Sequence, residues 1–326
     1  MRKFRVPRWA QMIGVAAIAA TMVTACSSSS TTSGSAATGT GNKINSSWPT
    51  TLTIGEVGEE NSTALEASLA PLTKLFHDKL GITLKVTTGT SYAAMIEAQQ
   101  AGKAQLIEYG PFSYYLALQN GLKIENIGIP ITAPNTDGGY YSEGVVNPKL
   151  NPSVTSIKDF AGKKTCFSDP ASTSGYLYPS YGLLSAGISP TTGVTPVFAG
   201  SDTTAPLNVA KGSCQVGFTN NLSLPLIYSQ NHIPQSDIKI VWKSVEIPGS
   251  PIAASDSLPA SLRSAMVSLL VKDANSPYYA AHGYCSSVSQ CDTVTEQWGF
   301  ANPSVANYSS IAQICKLTKS ASCKLS

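Results

Sequence analysis

Short apolar runs and amphipathic stretches alternate along the chain from residue 51 onward. Their spacing predicts strands where apolar and polar residues alternate, and helices where apolar residues recur every three or four positions. In the first half we predict a strand at residues 51–55, a helix at 71–80, a strand at 82–86, a helix at 91–101, a strand at 104–109 and a helix at 112–120.

The same alternation resumes after residue 140. We predict strands at residues 140–146, 163–167, 215–219 and 238–242, and helices at 156–160, 175–186, 203–211 and 258–271. This order favours an α/β fold with mixed, mostly parallel sheets and helices on both faces, whose ligands bind at the carboxyl ends of the strands. About 280 folded residues exceed one comfortable α/β core, which indicates two domains.

The amino terminus has the pattern of a secretion signal. Four basic residues among the first eight precede an apolar run at residues 12–23, which is too short to span a bilayer comfortably. Small residues then lead to Cys26, as in a bacterial lipobox. We therefore predict a signal peptide at 1–25, lipidation at Cys26 and a flexible tether over 26–47. Such an anchor would hold the protein at the outer face of the bacterial cytoplasmic membrane.

Removal of the leader changes the charge of the protein. The formal net charge of +3 becomes −1, because residues 1–25 carry four basic and no acidic side chains and leave 18 Lys and Arg against 19 Asp and Glu. No basic stripe remains, so a nucleic-acid partner is not expected. Arg263 is the only arginine of the mature chain, although sites for carboxylates usually use the bidentate guanidinium group.

Six cysteines follow Cys26, an even number in a chain that leaves the reducing cytosol. Disulfides are therefore expected. We favour the pairs Cys166–Cys214, Cys285–Cys291 and Cys315–Cys323, because the first would join neighbouring strands and the others close short loops. A metal site is the weaker alternative, since the three histidines are scattered and no cysteine pair has zinc-knuckle spacing. No metal or other cofactor is expected.

The cradle segment, residues 168–176, concentrates hydroxyl groups where a strand is predicted to become a helix. Ser172, Thr173 and Ser174 follow the Asp169-Pro170 break. The first N–H groups of a helix lack intrahelical partners, so they and these hydroxyls could bind one oxyanion. The alternative is an ordinary N-cap, for which serine and threonine are common.

Several motifs together resemble the phosphonate- and phosphite-binding proteins of ABC importers. The resemblance covers most of residues 51–270, and the motifs keep the order and approximate spacing found in that family. They are Tyr92 to Ala98, Tyr109 to Tyr114, Gly139 to Tyr141, Asp169 to Tyr176, Trp242 to Ser244, and Ile247 to Pro251.

This resemblance implies a two-lobed, hinge-closing periplasmic-binding-protein fold of the second type. Lobe 1 would comprise residues 48–138 and 250–326, and lobe 2 residues 139–249. Hinges would lie near Gly138-Gly139 and Pro248-Gly249. The implied partners are a membrane permease and an ATPase, the protein itself acting as a monomer.

The resemblance also implies a set of ligand-binding residues. These are Tyr92, Tyr140, Ser172, Thr173 and Ser174. Asp202 and Ser250, at positions where the chain departs from the family pattern, are added as candidate ligand-binding residues. From local chemistry alone, Tyr92 and Tyr140 could instead be packing aromatics, and Asp202 could point to solvent.

Two departures from the family pattern bear on the ligand. Gly200-Ser201 is followed by Asp202-Thr203, where relatives often have His and Asp. Binders of amine-bearing phosphonates carry carboxylates at the positions of Leu222-Ser223 and Ser250. A ligand without an amine is therefore expected, although Asp202 or Glu59 could substitute. An ionised Asp202 facing the cleft would favour a monoanion with a P–OH group, such as phosphite or methylphosphonate.

Two other functions remain open from the sequence. An extracytoplasmic hydrolase is disfavoured, because the chain contains neither His-Glu-x-x-His nor Gly-x-Ser-x-Gly. A lipoprotein that senses the same ligand and reports it to a partner cannot be separated from a transport protein by sequence. We expect a capture protein and no enzymatic activity.

Overall fold

The computed structural model describes residues 45–57 and 62–323. The predicted signal peptide, Cys26, most of the tether and Glu59 lie outside these residues. The strands are β1 (Thr51–Val57), β2 (Thr83–Gly89), β3 (Leu106–Glu108), β4 (Ile124–Ile131), β5 (Ser142–Val146), β6 (Lys164–Phe167), β7 (Thr195–Phe198), β8 (Val216–Asn220), β9 (Lys239–Lys243), β10 (Ile252–Ser255) and β11 (Gly299–Ala301).

Helices connect most of these strands and cover the sheets. They are α1 (Ser62–Ser68), α2 (Ala70–Leu80), α3 (Tyr92–Gln100), α4 (Pro111–Gln119), α5 (Tyr178–Ser185), α6 (Thr204–Ala210), α7 (Ser223–Ser229), α8 (Ala260–Lys272), α9 (Ser276–Ala281), α10 (Val288–Thr295) and α11 (Ser309–Thr318). One π-helical turn, Thr173–Leu177, precedes α5.

The first sheet takes its strands from both ends of the described chain. Its order is β11-β4-β10-β3-β1-β2. β1 is parallel to β2 and β3, whereas β10 lies antiparallel between β3 and β4, and β11 is antiparallel to β4. Four strands therefore run in one direction, whereas β10, inside the sheet, and β11, at its edge, are reversed.

The second sheet is built from the middle of the chain, in the order β7-β6-β8-β5-β9. β6 is parallel to β7 and β8, and β5 runs antiparallel to β8 and β9. The two mixed sheets and their helices confirm the α/β prediction.

Two crossover segments, residues 132–141 and 244–251, connect the sheets. They pair with each other, because Tyr140 and Ile247 exchange backbone hydrogen bonds of 3.0 and 2.8 Å. Gly138 has φ +77°, and a Cβ there would lie 2.7 Å from the Pro130 carbonyl oxygen. Only glycine fits this close crossing without strain.

The predicted helix boundaries agree with the structure where the sequence carries capping signals. Pro71 lies in the first turn of α2, and Gly81 ends it in the left-handed conformation with φ 66°. The Ser91 hydroxyl caps α3 by accepting a hydrogen bond of 3.1 Å from the Ala94 N–H.

Apolar side chains cover both faces of the first sheet. Leu52 and Ile54 pack in one cluster with residues of α2 and α8. Ile107 packs on the other face in a cluster that also contains Tyr178 of α5 and Ile311 of α11. This second cluster includes helices that follow both sheets, so it packs the two halves of the fold together.

The structure contains strands that the hydrophobic pattern did not predict, namely β4, β7, β10 and β11. In β4, Asn126, Gly128 and Pro130 interrupt the alternation of apolar residues, and residues of these types are depleted in strands. β10 and β11 have only four and three residues, so they are too short to show a clear period.

Three disulfides join Cys166 to Cys214, Cys285 to Cys291 and Cys315 to Cys323. These are the pairs favoured from the sequence. Within residues 45–57 and 62–323, no helix is both long and apolar enough to cross a bilayer. Among the same residues, no group of three or more His, Cys, Asp and Glu side chains is arranged to hold a metal ion.

Candidate ligand-binding site

The cradle segment is fixed by its own backbone and side-chain hydrogen bonds. The Asp169 side chain accepts from the Ala171 N–H at 2.7 Å, and the Ser172 hydroxyl accepts from the Gly175 N–H at 3.0 Å. Leu177 N–H then donates to the Ser172 carbonyl, which closes the wide turn. The acceptor role of Ser172 is therefore the N-cap role that its residue type favours, and its O–H remains able to donate.

Asp202 lies against the cradle segment rather than pointing away from it. Its carboxylate accepts hydrogen bonds from the Ser168 hydroxyl and, at 3.4 Å, from the Ser174 hydroxyl. Burial raises the pKa of Asp202 above its ordinary value, hydrogen bonds from Ser168, Asn220 and Ser174 oppose this shift, and the nearby Asp169 charge adds to it. A carboxylate is thus held among hydroxyl groups at the carboxyl ends of β6 and β8.

Gly175 allows this close packing. A Cβ at this position would lie 1.9 Å from the Ser168 hydroxyl oxygen and 2.8 Å from an Asp202 carboxylate oxygen. Any side chain at residue 175 would therefore displace both groups. The glycine of the motif has a steric role in the site.

Tyr140 brings a phenol to the same group of hydroxyls. Its side chain is buried. Burial and the Asp202 charge raise the pKa of Tyr140 well above its ordinary value, and hydrogen bonding by Thr173, Ser250 and Ser174 opposes this shift. The phenol therefore stays protonated and available as a donor at physiological pH.

Tyr92, at the start of α3, approaches from the first sheet. Burial raises the pKa of its phenol well above the ordinary value, and the charges of Asp202, Asp169 and Glu56 add to the effect, as does Tyr140. The structure therefore brings six of the predicted residues into one group: Tyr92, Tyr140, Thr173, Ser174, Asp202 and Ser250. The seventh, Ser172, lies directly beside them in the cradle segment.

The first turns of α3 and α4, two helices that follow strands of the first sheet, contact the cradle segment. The Phe112 N–H, in the first turn of α4, donates to the Thr173 hydroxyl oxygen at 2.9 Å. The Tyr92 backbone N–H, at the start of α3, hydrogen bonds with Asp169 and helps to hold down its pKa against burial. Backbone donors that lack intrahelical partners thus point into the same space as the cradle hydroxyls.

Two acidic residues at the carboxyl ends of β1 and β3 were not among the predicted site residues. The β1–β3 register pairs Ile54 with Leu106 and Gly55 with Ile107, so Glu56 and Glu108 follow at adjacent positions. Burial raises the pKa of Glu108 to about 7. Their position at predicted strand ends was the available signal, because ligands of such sheets bind there.

Ser168 and Asn220 were also missed. Both residues lie at strand ends, Ser168 directly after β6 and Asn220 as the last residue of β8. Their contacts with Asp202 depend on which strands are neighbours, and β6 and β8 are 51 residues apart at paired positions such as Thr165 and Val216. Sequence spacing does not report this neighbourhood.

Arg263 is engaged in contacts outside the cradle segment. Its Nε donates to Glu125 at 2.6 Å and an Nη donates to the Asp256 carbonyl at 2.8 Å. It is the only arginine among the described residues, so the site binds without a guanidinium group. The remaining donors in the group are neutral hydroxyls and backbone N–H groups, which suit a small oxyanion, and Asp202 can accept a hydrogen bond from a protonated ligand oxygen.

Comparison with known proteins identifies the family. The sequence model of a protein family, the periplasmic phosphonate substrate-binding proteins of ABC transporters, matches residues 54–285. A phosphate-import protein of Mycolicibacterium smegmatis is 32% identical over 317 residues, which are 95% of this chain and 96% of that protein. The chain belongs to the phosphonate-binding family of ABC-transporter substrate-binding proteins.

Solved structures show the same fold. A binding-protein component of a phosphonate ABC transporter from Pseudomonas aeruginosa has a TM-score of 0.70 at 19% identity, with 82% of this chain and 86% of that chain covered. A protein of Prochlorococcus marinus in complex with methylphosphonate has a TM-score of 0.68 at 19% identity, covering 83% and 99%. As a member of this family, the protein is an extracytoplasmic substrate-binding component of an ABC importer and not an enzyme.

Proposed function

We propose that the protein captures a small phosphorus oxyanion in a singly protonated, P–OH form. The observation that carries this proposal is the position of Asp202, whose carboxylate contacts the hydroxyls of Ser168 and Ser174. Hydroxyl and backbone donors can bind the unprotonated oxygens of the ligand. The carboxylate accepts a hydrogen bond from a P–OH group and repels a fully ionised oxygen at the same point.

The favoured ligands are phosphite and methylphosphonate. Phosphate in its singly protonated state is the second candidate, because the relative of Mycolicibacterium smegmatis, matched over 96% of its length, is described as a phosphate-import protein. Sulfate carries no proton at neutral pH and should be rejected.

A ligand without an amine is favoured by residues that follow β8 and β9. Leu222, Ser223 and Ser250 stand where binders of amine-bearing phosphonates have carboxylates. The structure also places the carboxylates of Asp169 and Glu56 near Tyr92. These carboxylates could still bind an ammonium group. Aminoethylphosphonate therefore belongs in the test.

The test is a calorimetric titration of phosphite, hypophosphite, methylphosphonate, aminoethylphosphonate, phosphate and sulfate. We expect phosphite or methylphosphonate to bind tightest and sulfate not to bind. Tightest binding by aminoethylphosphonate would overturn the absence of an amine, and binding by none of the six would overturn the ligand class.

We further propose that residues 48–138 with 250–326 form lobe 1, that residues 139–249 form lobe 2, and that the lobes close over the ligand. Support comes from the origin of the strands, since the first sheet uses both chain ends and the second uses the middle. The paired crossovers, with glycine at 138, 139 and 249, would serve as the hinge. Small-angle scattering should show compaction on ligand addition, and an unchanged profile would contradict closure.

The lipid anchor at Cys26 is proposed from the sequence alone. With the tether at 26–47 it would hold the monomer at the outer face of the bacterial cytoplasmic membrane, beside its permease and ATPase. Mass spectrometry of the membrane fraction should find a diacylglyceryl group on Cys26, and Cys26→Ala should release the protein from the membrane. Ligand uptake in a deletion strain separates transport from the alternative, a sensing lipoprotein.

A further inference from the structure

The first turn of α4 is capped by a side chain that follows a strand of the second sheet. Gly110 occupies the N-cap position and has no side-chain oxygen to offer. The Phe112 N–H instead donates to the Thr173 hydroxyl oxygen at 2.9 Å. α4 follows β3 of the first sheet, whereas Thr173 follows β6 of the second. One hydrogen bond therefore joins a helix start of one half of the protein to the cradle segment of the other.

This bond sets the direction in which the Thr173 hydroxyl can act. A hydroxyl has one hydrogen to donate and two lone pairs that accept. While one lone pair accepts the Phe112 N–H, the hydrogen points away from that N–H. The Tyr140 phenol interacts with the same hydroxyl. Without the Phe112 contact, the hydroxyl can rotate and lose part of its value as a fixed donor.

Gly110 permits the approach through its lack of a side chain. Its φ of −66° is open to any residue, so glycine is not required by the backbone. A Cβ at this position would lie 2.9 Å from the Thr173 hydroxyl oxygen and 3.6 Å from the Ser113 hydroxyl oxygen. Even alanine would push Thr173 away from the Phe112 N–H.

We propose that the first turn of α4 positions the Thr173 hydroxyl as a donor to the bound oxyanion, and that Gly110 sets ligand affinity by admitting this contact. The inference rests on the proposed function, because the donor is useful only when an anion occupies the cradle. It adds Gly110 and the Phe112 amide to the site as positioning groups. It also makes full donor strength depend on the two halves being together.

A first experiment needs no ligand. Amide hydrogen exchange should be measured in the wild type and in Thr173→Val, which removes the hydroxyl and keeps the side-chain shape. The Phe112 N–H has no intrahelical acceptor in the first turn, so its exchange should accelerate at least about tenfold. The Tyr114 N–H, which donates to the Gly110 carbonyl at 2.9 Å, is the internal control and should change little. Equal protection of Phe112 in both proteins would overturn the contact.

A second experiment uses methylphosphonate as the probe. Gly110→Ala should weaken its binding roughly 10- to 100-fold, because one oriented hydrogen bond to a charged group is lost. Adding Gly110→Ala to Thr173→Ala should cause little further loss, since the displaced hydroxyl is already absent. Ser113→Ala, in the same turn, is the control for disturbance of α4 and should bind like the wild type.

The outcomes distinguish the two proposals. Wild-type affinity in a folded Gly110→Ala protein, or full additivity in the double variant, would overturn the positioning role and leave the proposed function standing. Failure of the wild type to bind any of the six anions would overturn the proposed ligand class, and the positioning role with it, while the exchange experiment would still decide whether the Thr173–Phe112 contact exists.

Discussion

In the proposed site, we expect Asp202 to have the most influence on selectivity. Its carboxylate is surrounded by hydroxyl donors from Ser168 and Ser174, and burial raises its pKa. A ligand with a P–OH group donates a hydrogen bond to this carboxylate, whereas a fully ionised ligand leaves two negative charges in contact.

Asp202→Asn should therefore relax selectivity. An amide can donate to an ionised oxygen, so we expect the preference for methylphosphonate over sulfate to fall at least about tenfold. Wild-type binding should weaken as pH rises and the ligand loses its last proton, and the variant should be less sensitive to this change. Calorimetry from pH 5.5 to pH 8.5 measures both effects. Asp237→Asn, at an exposed ion pair with Lys149, is the control, and identical pH profiles would contradict the role of Asp202.

Glu108 should make folding stability depend on pH. Its pKa is raised by burial from 4.5 to about 7 in the folded protein. The folded state therefore holds the proton more tightly, so the contribution of Glu108 to stability is fully present below pH 4.5 and is lost as pH rises through about 7. Glu108→Gln should remove this part of the decline. Urea unfolding at pH 5 and pH 8 should show a smaller difference for the variant than for the wild type.

Glu97→Gln, on the exposed face of α3, is the control for Glu108→Gln. It should keep the wild-type difference between the two pH values. If Glu108→Gln also keeps it, the buried carboxyl is not the group that makes stability fall with pH.

Part of this site could be predicted from the types of residue in the sequence. The rest depends on which residues the fold places in contact. Three hydroxyls in a row at a helix start were visible as candidate anion donors, and the resemblance added Tyr92 and Tyr140. The Phe112 amide carried no signal, because a backbone N–H is present at every residue except proline. Its role follows from the place where α4 begins and from the residue that faces it.

At the scale of single elements, the start of α3 combines a cap with a place in the site. The Ser91 hydroxyl accepts from the Ala94 N–H at 3.1 Å, and Tyr92 is the first helical residue. Loss of the cap should make the first turn of α3 less rigid. This turn positions both the Tyr92 N–H and the Tyr92 phenol in the site.

Ser91→Ala should lower stability by about 1 kcal/mol and also weaken ligand binding. The matched control is Ser287→Ala, which removes an equivalent cap from α10, where the hydroxyl accepts from the Gln290 N–H at 3.1 Å. Chemical unfolding and calorimetry on both variants should show similar losses of stability, with binding reduced only in Ser91→Ala. Equal binding in the two variants would separate the cap from the site.

Elements with strong local signals could be predicted, and elements made by tertiary pairing could not. α2 has Pro71 at its start, Gly81 at its end and a buried face of leucines, so its boundaries were visible. β10 has four residues and forms only because it is inserted between β3 and β4. Its partners are more than 100 residues away in the chain, and no local pattern reports them.

At the scale of the whole molecule, the alternation of strands and helices predicted the α/β class, but not the order of strands in each sheet. The crossings that place the middle of the chain in a separate sheet came from the family resemblance. The packing of α5 and α11 into one apolar cluster, with Tyr178 and Ile311, had no counterpart in the sequence pattern.

The three disulfides should contribute unequally to stability. Cys166 and Cys214 are 48 residues apart in sequence and both are buried, whereas Cys285 and Cys291 are separated by only 6. Loop-closure entropy assigns about 4 kcal/mol to the longer loop and about 2 kcal/mol to the shorter. Paired Cys→Ala substitutions compared by guanidinium unfolding should show the larger loss for Cys166 and Cys214. An equal or reversed order would contradict this ranking.

The carboxylates around Tyr92 have a consequence for the speed of capture. Asp169, Asp202 and Glu56 all act on this phenol, and without the predicted signal peptide the net charge of the chain would be −1. We therefore expect an arriving anion to be repelled by these carboxylates when they are ionised, whereas positive potential at a binding site steers an anion inward. Added salt screens this repulsion.

Association should consequently accelerate with ionic strength. Stopped-flow measurements with methylphosphonate should give a larger association rate constant at 150 mM than at 10 mM salt, whereas a receptor lined with lysine and arginine would show the opposite slope. A rate constant that falls with salt would mean that cations elsewhere govern the approach. Such an importer would collect its nutrient without loss of speed in brackish or mineral-rich surroundings, where receptors that depend on electrostatic attraction become slow.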